Sequence, residues 1–133
     1  MAADKAAAKG AQLRRDLIAV VDDDESVRNA VHGVLRSVGL QVRAFASAEE
    51  FLGSGQQDQT ACLISDIHMP GMTGLELQTR LASEGHRIPI VFISAYGSPA
   101  VRDQAMRVGA VRFVDKPFDD AVLLEVLFGV INQ

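Results

Sequence analysis

The chain has little of several things. It carries one cysteine, Cys62, so no internal disulfide can staple it, and that usage suits a reducing compartment. It has no excess of positive charge: Lys+Arg number 13 against 17 Asp+Glu, for a formal net charge of −4. Direct DNA binding and attachment to an anionic membrane both need a clustered positive surface, and neither fits that balance. No apolar run reaches the ~18–20 residues of a membrane span. The alanine-rich start lacks the apolar core of a signal peptide, so a cytoplasmic location is expected. Lysine is scarce too. There are three lysines beside ten arginines, and two of them, Lys5 and Lys9, sit in that alanine-rich start. The body of the chain keeps one lysine, Lys116, in a sequence that otherwise uses arginine.

What remains is ordinary for a globular protein: 133 residues, 48% hydrophobic and 23% charged. That length fits one domain with a core of its own. Residues 1–14 read as a tail or short extra helix, and 15–133 as the domain. Leu17 to Val21 is a continuous apolar run, the pattern of a strand buried on both faces. Val27, Ala30, Val31, Val34, Leu35 and Val38 then share one helical face, closed by Gly39. Leu40 to Phe45 alternates as a strand. Ser47 caps a short helix, with Glu50 placed for a capping box. Ala61 to Ser65 is a second buried strand, ending at Asp66. A helix over Gly74–Ser83, a strand over Ile88–Ile93, a helix over Pro99–Val108, a strand over Val111–Val114 and a helix over Asp119–Ile131 complete the alternation. Five β-α units predict an α/β fold, a doubly wound five-stranded parallel sheet in three layers.

The strand ends hold the chemistry. Asp22 and Asp23 follow the first strand, Asp66 the third, Ser94 the fourth and Lys116 the fifth. Ligands of open α/β sheets bind outside the carboxyl ends of the strands, at a topological switch point. In the flavodoxin-like order 2-1-3-4-5 the first and third strands are neighbours there, so the three aspartates converge. Packed carboxylates repel, and a divalent cation removes the conflict. An all-oxygen donor set suits a hard ion such as Mg²⁺. Asp24 and Glu25 read instead as helix-opening residues. A single such Asp, Ser or Lys is usually a cap, a turn or a solvated group; four strand ends in this order favour a joint site.

These residues resemble the receiver domain of two-component response regulators, over about Leu17 to Ile131. The resemblance rests on Val20-Val21-Asp22-Asp23, Ser65-Asp66-Ile67-His68-Met69-Pro70-Gly71-Met72-Thr73-Gly74, Ile93-Ser94-Ala95, Gly109-Ala110 and Asp115-Lys116-Pro117-Phe118. Tyr96-Gly97, Ala105-Met106 and Gly109-Ala110-Val111 add a FixJ-type style. The resemblance implies a CheY-like fold. It also implies that Asp66 takes a phosphoryl group from a histidine kinase or His-phosphotransfer protein. Asp23 would hold Mg²⁺ directly and Asp22 through water, with Asp66 and the backbone carbonyl of His68 as further ligands. Ser94 and Lys116 would meet the phosphoryl group. Phe113 would be the aromatic that changes rotamer, moving the face made by the fourth helix, fifth strand and fifth helix. The Lys116–Pro117 peptide would be cis.

Position 94 is Ser where Thr is also common, and position 113 is Phe, which removes any role for a tyrosine hydroxyl. His68 is expected to be a solvated side chain; the alternative is that it tunes the lifetime of the phosphoaspartate. The protein is expected to be a phosphoacceptor that turns over its own modification rather than an enzyme, and a stand-alone regulator. The alternative is a receiver cut from a longer FixJ-type transcription regulator with a DNA-binding output domain. A Mg²⁺-dependent aspartate-nucleophile phosphatase fits poorly, because its second aspartate would stand where His68 is. An FMN carrier fits poorly too, because Asp22-Asp23-Asp24-Glu25 would repel its phosphate. The last helix is apolar nearly all round, so Leu124, Phe128 and Ile131 are expected to be exposed and to form a homodimer or partner surface. No nucleic-acid or membrane contact by the chain itself is expected.

Overall fold

The computed structural model describes residues 16–95, 99–107, 109 and 112–132. The expectations for residues 1–14, for Tyr96-Gly97 and for Val108, Ala110 and Val111 lie outside them. The elements run β1 (Leu17–Val21), α1 (Glu25–Ser37), β2 (Gln41–Phe45), α2 (Ala48–Gly53), a 3₁₀ turn (Gln57–Gln59), β3 (Thr60–Asp66), α3 (Gly74–Ser83), β4 (Ile90–Ser94), α4 (Pro99–Arg107), β5 (Arg112–Asp115) and α5 (Asp120–Ile131). The five strands form one sheet in the order β2-β1-β3-β4-β5, with every neighbouring pair parallel. This is the predicted fold.

Side-chain alternation divides the interior in two. Ala19 and Val21 of β1, Leu63 of β3 and Phe92 of β4 face one cluster with Phe51, Leu77, Leu81 and Ala105 from α2, α3 and α4. Ile18, Val20, Cys62, Ile64, Val91, Ile93 and Val114 face the other, with Val31 and Leu35 of α1 and Leu123, Leu127 and Val130 of α5. Both faces of the three inner strands are covered, which is why they read as unbroken apolar runs. The edge strand β2 is mostly exposed and buries only Phe45.

Helix starts are set by short polar side chains. Asp24 accepts the N–H of Ser26 to open α1, and Asp119 accepts that of Ala121 to open α5. Ser47 caps α2 as expected, but the capping box is displaced by one residue: the Glu50 carboxylate takes the N–H of Ala46 rather than of Ser47. The complete capping box belongs to Thr73 and Glu76 at α3. Helix α1 closes in a Schellman motif, with Gly39 at φ 85°, its N–H on Arg36 O and Leu40 N–H on Leu35 O.

The start of β4 and one surface differ from the sequence reading. β4 begins at Ile90, not Ile88; Pro89 has no N–H for a ladder, though its carbonyl still accepts from Leu63. Helix α5 does not leave Leu124, Phe128 and Ile131 bare: all three are half-buried, and Leu124 and Ile131 pack against the cluster shared with α1. The large apolar side chain that α5 exposes is Val122, at 46%. An apolar helix lying between the sheet and a neighbouring helix buries a wide arc rather than a single stripe.

Cys62 is fully buried on β3, and burial pushes its thiol up to about 12. Only the thiolate reacts with alkylating agents. The native protein should therefore stay unlabelled by iodoacetamide at pH 8, with full labelling after unfolding in guanidinium. Rapid labelling of the native protein would show that β3 is not held as described.

Candidate functional site

The carboxyl ends of β1, β3, β4 and β5 bring the predicted residues together. Asp22 follows the last paired residue of β1 and is fully buried. Its Oδ1 accepts the N–H of Asp24 at 2.9 Å, and its own N–H reaches Phe45 O at 3.1 Å. Its Oδ2 lies 2.8 Å from Lys116 Nζ in a buried ion pair. Asp23 is exposed beside it. Asp66 closes β3 and is buried; its Oδ1 accepts the N–H of Ile67 at 2.8 Å, and its Oδ2 lies 3.4 Å from Lys116 Nζ. Asp24 stands apart as the cap of α1, and the hydroxyl and N–H of Ser26 hold its carboxyl below the usual range.

The charges act on one another. Burial, and then the neighbouring Asp22 charge, push the Asp66 carboxyl above the usual value; Lys116 and the Ile67 N–H oppose this without cancelling it. Burial pulls the Lys116 ammonium down, but the two carboxylates more than reverse this and hold it above its ordinary value. The lone lysine of the body thus stands as the shared counter-charge of two buried acids.

Ser94 ends β4 fully buried, paired in register with Asp115, and its backbone oxygen accepts the Lys116 N–H at 3.0 Å. The Lys116–Pro117 peptide is cis. Phe113 is half-buried on β5, its ring 6.2 Å from that of Phe92 and tilted by 48°. His68 is exposed, just after Ile67.

One carboxylate oxygen from each of Asp22, Asp23 and Asp66 lies within 4.8 Å of the others. This all-carboxylate donor set fits a hard divalent cation.

Sequence reasoning missed three supporting residues. Arg28 of α1 donates from Nη1 to the Asp22 backbone oxygen at 2.8 Å. Glu49 of α2 accepts the Met72 N–H at 3.1 Å and so ties α2 to the loop after Asp66. Arg102 of α4 lies 4.4 Å over the Phe113 ring and pairs with Asp115 at 2.8 Å. None of these carries a spacing signal, since each joins separate elements. Gly74 sits so close to β3 that an added Cβ would stand 2.3 Å from the Asp66 backbone oxygen and 3.0 Å from Ile67 Cα.

The family profile of the response regulator receiver domain matches residues 18–128. The chain belongs to the response regulator receiver family. It is 45% identical over 111 residues to nodulation protein W of Bradyrhizobium diazoefficiens, covering 84% of this chain and 49% of that protein. It is 37% identical over 105 residues to the transcriptional regulatory protein FixJ of Azorhizobium caulinodans, covering 79% and 50%. The chain thus spans about half the length of these curated relatives. Among solved structures, the chemotaxis protein CheY4 of Vibrio cholerae superposes with a TM-score of 0.80 at 31% identity, covering 86% of this receiver and 97% of that chain.

Because the Gly74 approach is to backbone, it cannot be relieved by a side-chain rotation. Gly74→Ala should destabilise the receiver by about 1–3 kcal/mol, the usual cost of overpacking, read from urea unfolding. A variant as stable as the parent would show that α3 can back away from β3 freely.

Proposed function

We propose that the protein is a phosphoacceptor in two-component signalling, with Asp66 as the residue that takes the phosphoryl group. The observation that carries this is the pairing of Lys116 Nζ with both Asp22 and Asp66 beside the three-carboxylate cluster. A nucleophilic carboxylate, a cation-binding acid pair, a hydroxyl and an ammonium are the parts that phosphoryl transfer needs. Asp22, Asp23, Asp66 and the His68 carbonyl would hold Mg²⁺, which when bound supplies charge neutralisation at the phosphoryl oxygens.

An Asp66 oxygen attacks the phosphorus of a phosphohistidine, presented by a histidine kinase or His-phosphotransfer protein. The O–P bond forms as the P–N bond breaks, and the imidazole leaves with the electron pair and takes a proton. Lys116 then exchanges part of its carboxylate pairing for the phosphoryl oxygens, and the Ser94 hydroxyl donates to the same group. Hydrolysis of the acyl phosphate resets the site. The modification adds roughly −1.5 to −2 charge, taking phosphorylated hydroxyl side chains as the guide. Ser94 and Lys116 carry that change along β4 and β5 to Phe113 and α4, and so bias the α4-β5-α5 face toward an output partner.

Asp66→Asn should abolish labelling by a small acyl phosphate with Mg²⁺; persistent labelling of that variant would sink the assignment. Lys116→Arg should fold and still accept the phosphoryl group, yet leave amide exchange in α4 and β5 unchanged on phosphorylation. A planar guanidinium cannot take the place of a compact ammonium between two carboxylates. A normal exchange response in that variant would assign the switch to other residues.

A further inference from the structure

The turn from β1 into α1 carries two of the three clustered carboxylates, and one side chain from outside the turn grips its backbone. The ladder of β1 ends with Val21 opposite Phe45 and Ser65. The Asp22 N–H still finds Phe45, but its carbonyl lies beyond the paired residues. Arg28, half-buried one helical turn into α1, supplies the partner through Nη1 at 2.8 Å. The Asp22 carbonyl belongs to the peptide that leads directly into Asp23. Whatever holds that peptide also holds the Asp23 Cα, and so narrows the directions in which the exposed Asp23 carboxylate can leave the chain.

Charge makes this placement informative. Arg28 is a permanent cation bonded to a residue of the acidic cluster. By Coulomb attraction and repulsion alone it lowers the affinity of the cluster for a metal cation. Positioning works with the opposite sign, since outer partners that hold ligands in place raise metal affinity.

We infer that Arg28 is a positioning residue for Mg²⁺: by holding the Asp22 carbonyl it presets the Asp23 carboxylate toward the cation, and this outweighs its own repulsion. The inference rests on the metal-dependent reading of the site given above.

The two signs make a direct test, Mg²⁺ binding measured by titration calorimetry on the unphosphorylated protein. Arg28→Met keeps the aliphatic stem and a good helix former but loses donor and charge. It should bind Mg²⁺ about tenfold more weakly, the low end of what loss of an outer partner costs. Arg28→Lys keeps the charge and one flexible donor, and should fall between the two. The expected order is wild type, then Lys, then Met. Simple repulsion predicts the reverse, with the Met variant tightest. A Met variant that binds as tightly as the wild type or more so would overturn the inference, as would a Lys variant no better than Met. Circular dichroism checks that both are folded. If the Met variant is not, the Lys variant decides alone: weaker binding than wild type supports the inference, and equal or tighter binding overturns it. Wild-type protein that binds Mg²⁺ but takes no phosphoryl group would defeat the proposed function and leave the affinity order readable. Wild-type protein that binds no Mg²⁺ would overturn both.

Discussion

Two acids are taken out of water at one end of the sheet, and a single ammonium stands between them. Asp22 is fully buried and Asp66 nearly so, with Lys116 Nζ at 2.8 and 3.4 Å. Like charges at such a spacing are costly in a medium poorer than water, and removing the ammonium they share would leave both less compensated. The arrangement persists because the backbone leaves little choice. Asp22 continues β1, Asp66 ends β3, and the strands are hydrogen-bonded neighbours in one sheet. Lys116 is brought in from β5, two strands farther, by its N–H on the Ser94 carbonyl. The conflict is built into the sheet, and under the proposed function a cation or a phosphoryl group would change how it is resolved. That would make the site responsive.

The rest of the molecule keeps those strand ends in place. The two apolar clusters fill opposite faces of the same strands, so a slip of one residue would move each buried row to the wrong side. Gly74 lets α3 begin in contact with the Asp66 backbone, and its N–H returns to Ile67 O at 2.9 Å. Glu49 restrains the far side of the same loop through Met72. By contrast α4 buries only Ala105 among its described residues, with the buried Gln78 side chain of α3 donating to the Ala105 carbonyl at 3.2 Å. A rigid acid end beside a lightly anchored helix is the physical basis on which a local charge change could be felt at a distance.

Much of this could be read from the sequence because parallel sheets buried on both faces leave strong marks. Leu17 to Val21 and Ala61 to Ile64 are unbroken apolar runs, the first followed directly by Asp22 and the second by Ser65 and Asp66. Right-handed crossovers limit the orders such an alternation can take, and the flavodoxin-like order 2-1-3-4-5 is one of them. The contacts of Arg28, Glu49 and Arg102 were not legible, because a side chain that bonds a backbone group or ring on another element has no periodicity. The exposure of α5 was misread for a related reason. An apolar count does not reveal that α1 lies alongside, so Leu124 and Ile131 looked bare when they are half covered. The shifted cap at Ala46 is a matter of how the Glu50 side chain reaches, which residue types alone do not specify.

The uneven use of basic residues gains a structural meaning from these contacts. Where the chain uses a planar cation, it uses arginine: Arg28 on a carbonyl, and Arg102 lying over the Phe113 ring while its edge meets Asp115. A guanidinium can stack and donate in its plane at the same time. Lys116 has a different task. Its charge lies near two carboxylates at once, and under the proposed function it would shift between them and the phosphoryl group. A compact ammonium on a flexible stem suits this, whereas a guanidinium would meet the two acids in a different, planar geometry. The single lysine of the body therefore stands where a point charge meets two acids at once, whereas Arg28 and Arg102 stand where a directional cation meets a carbonyl, a ring and a carboxylate.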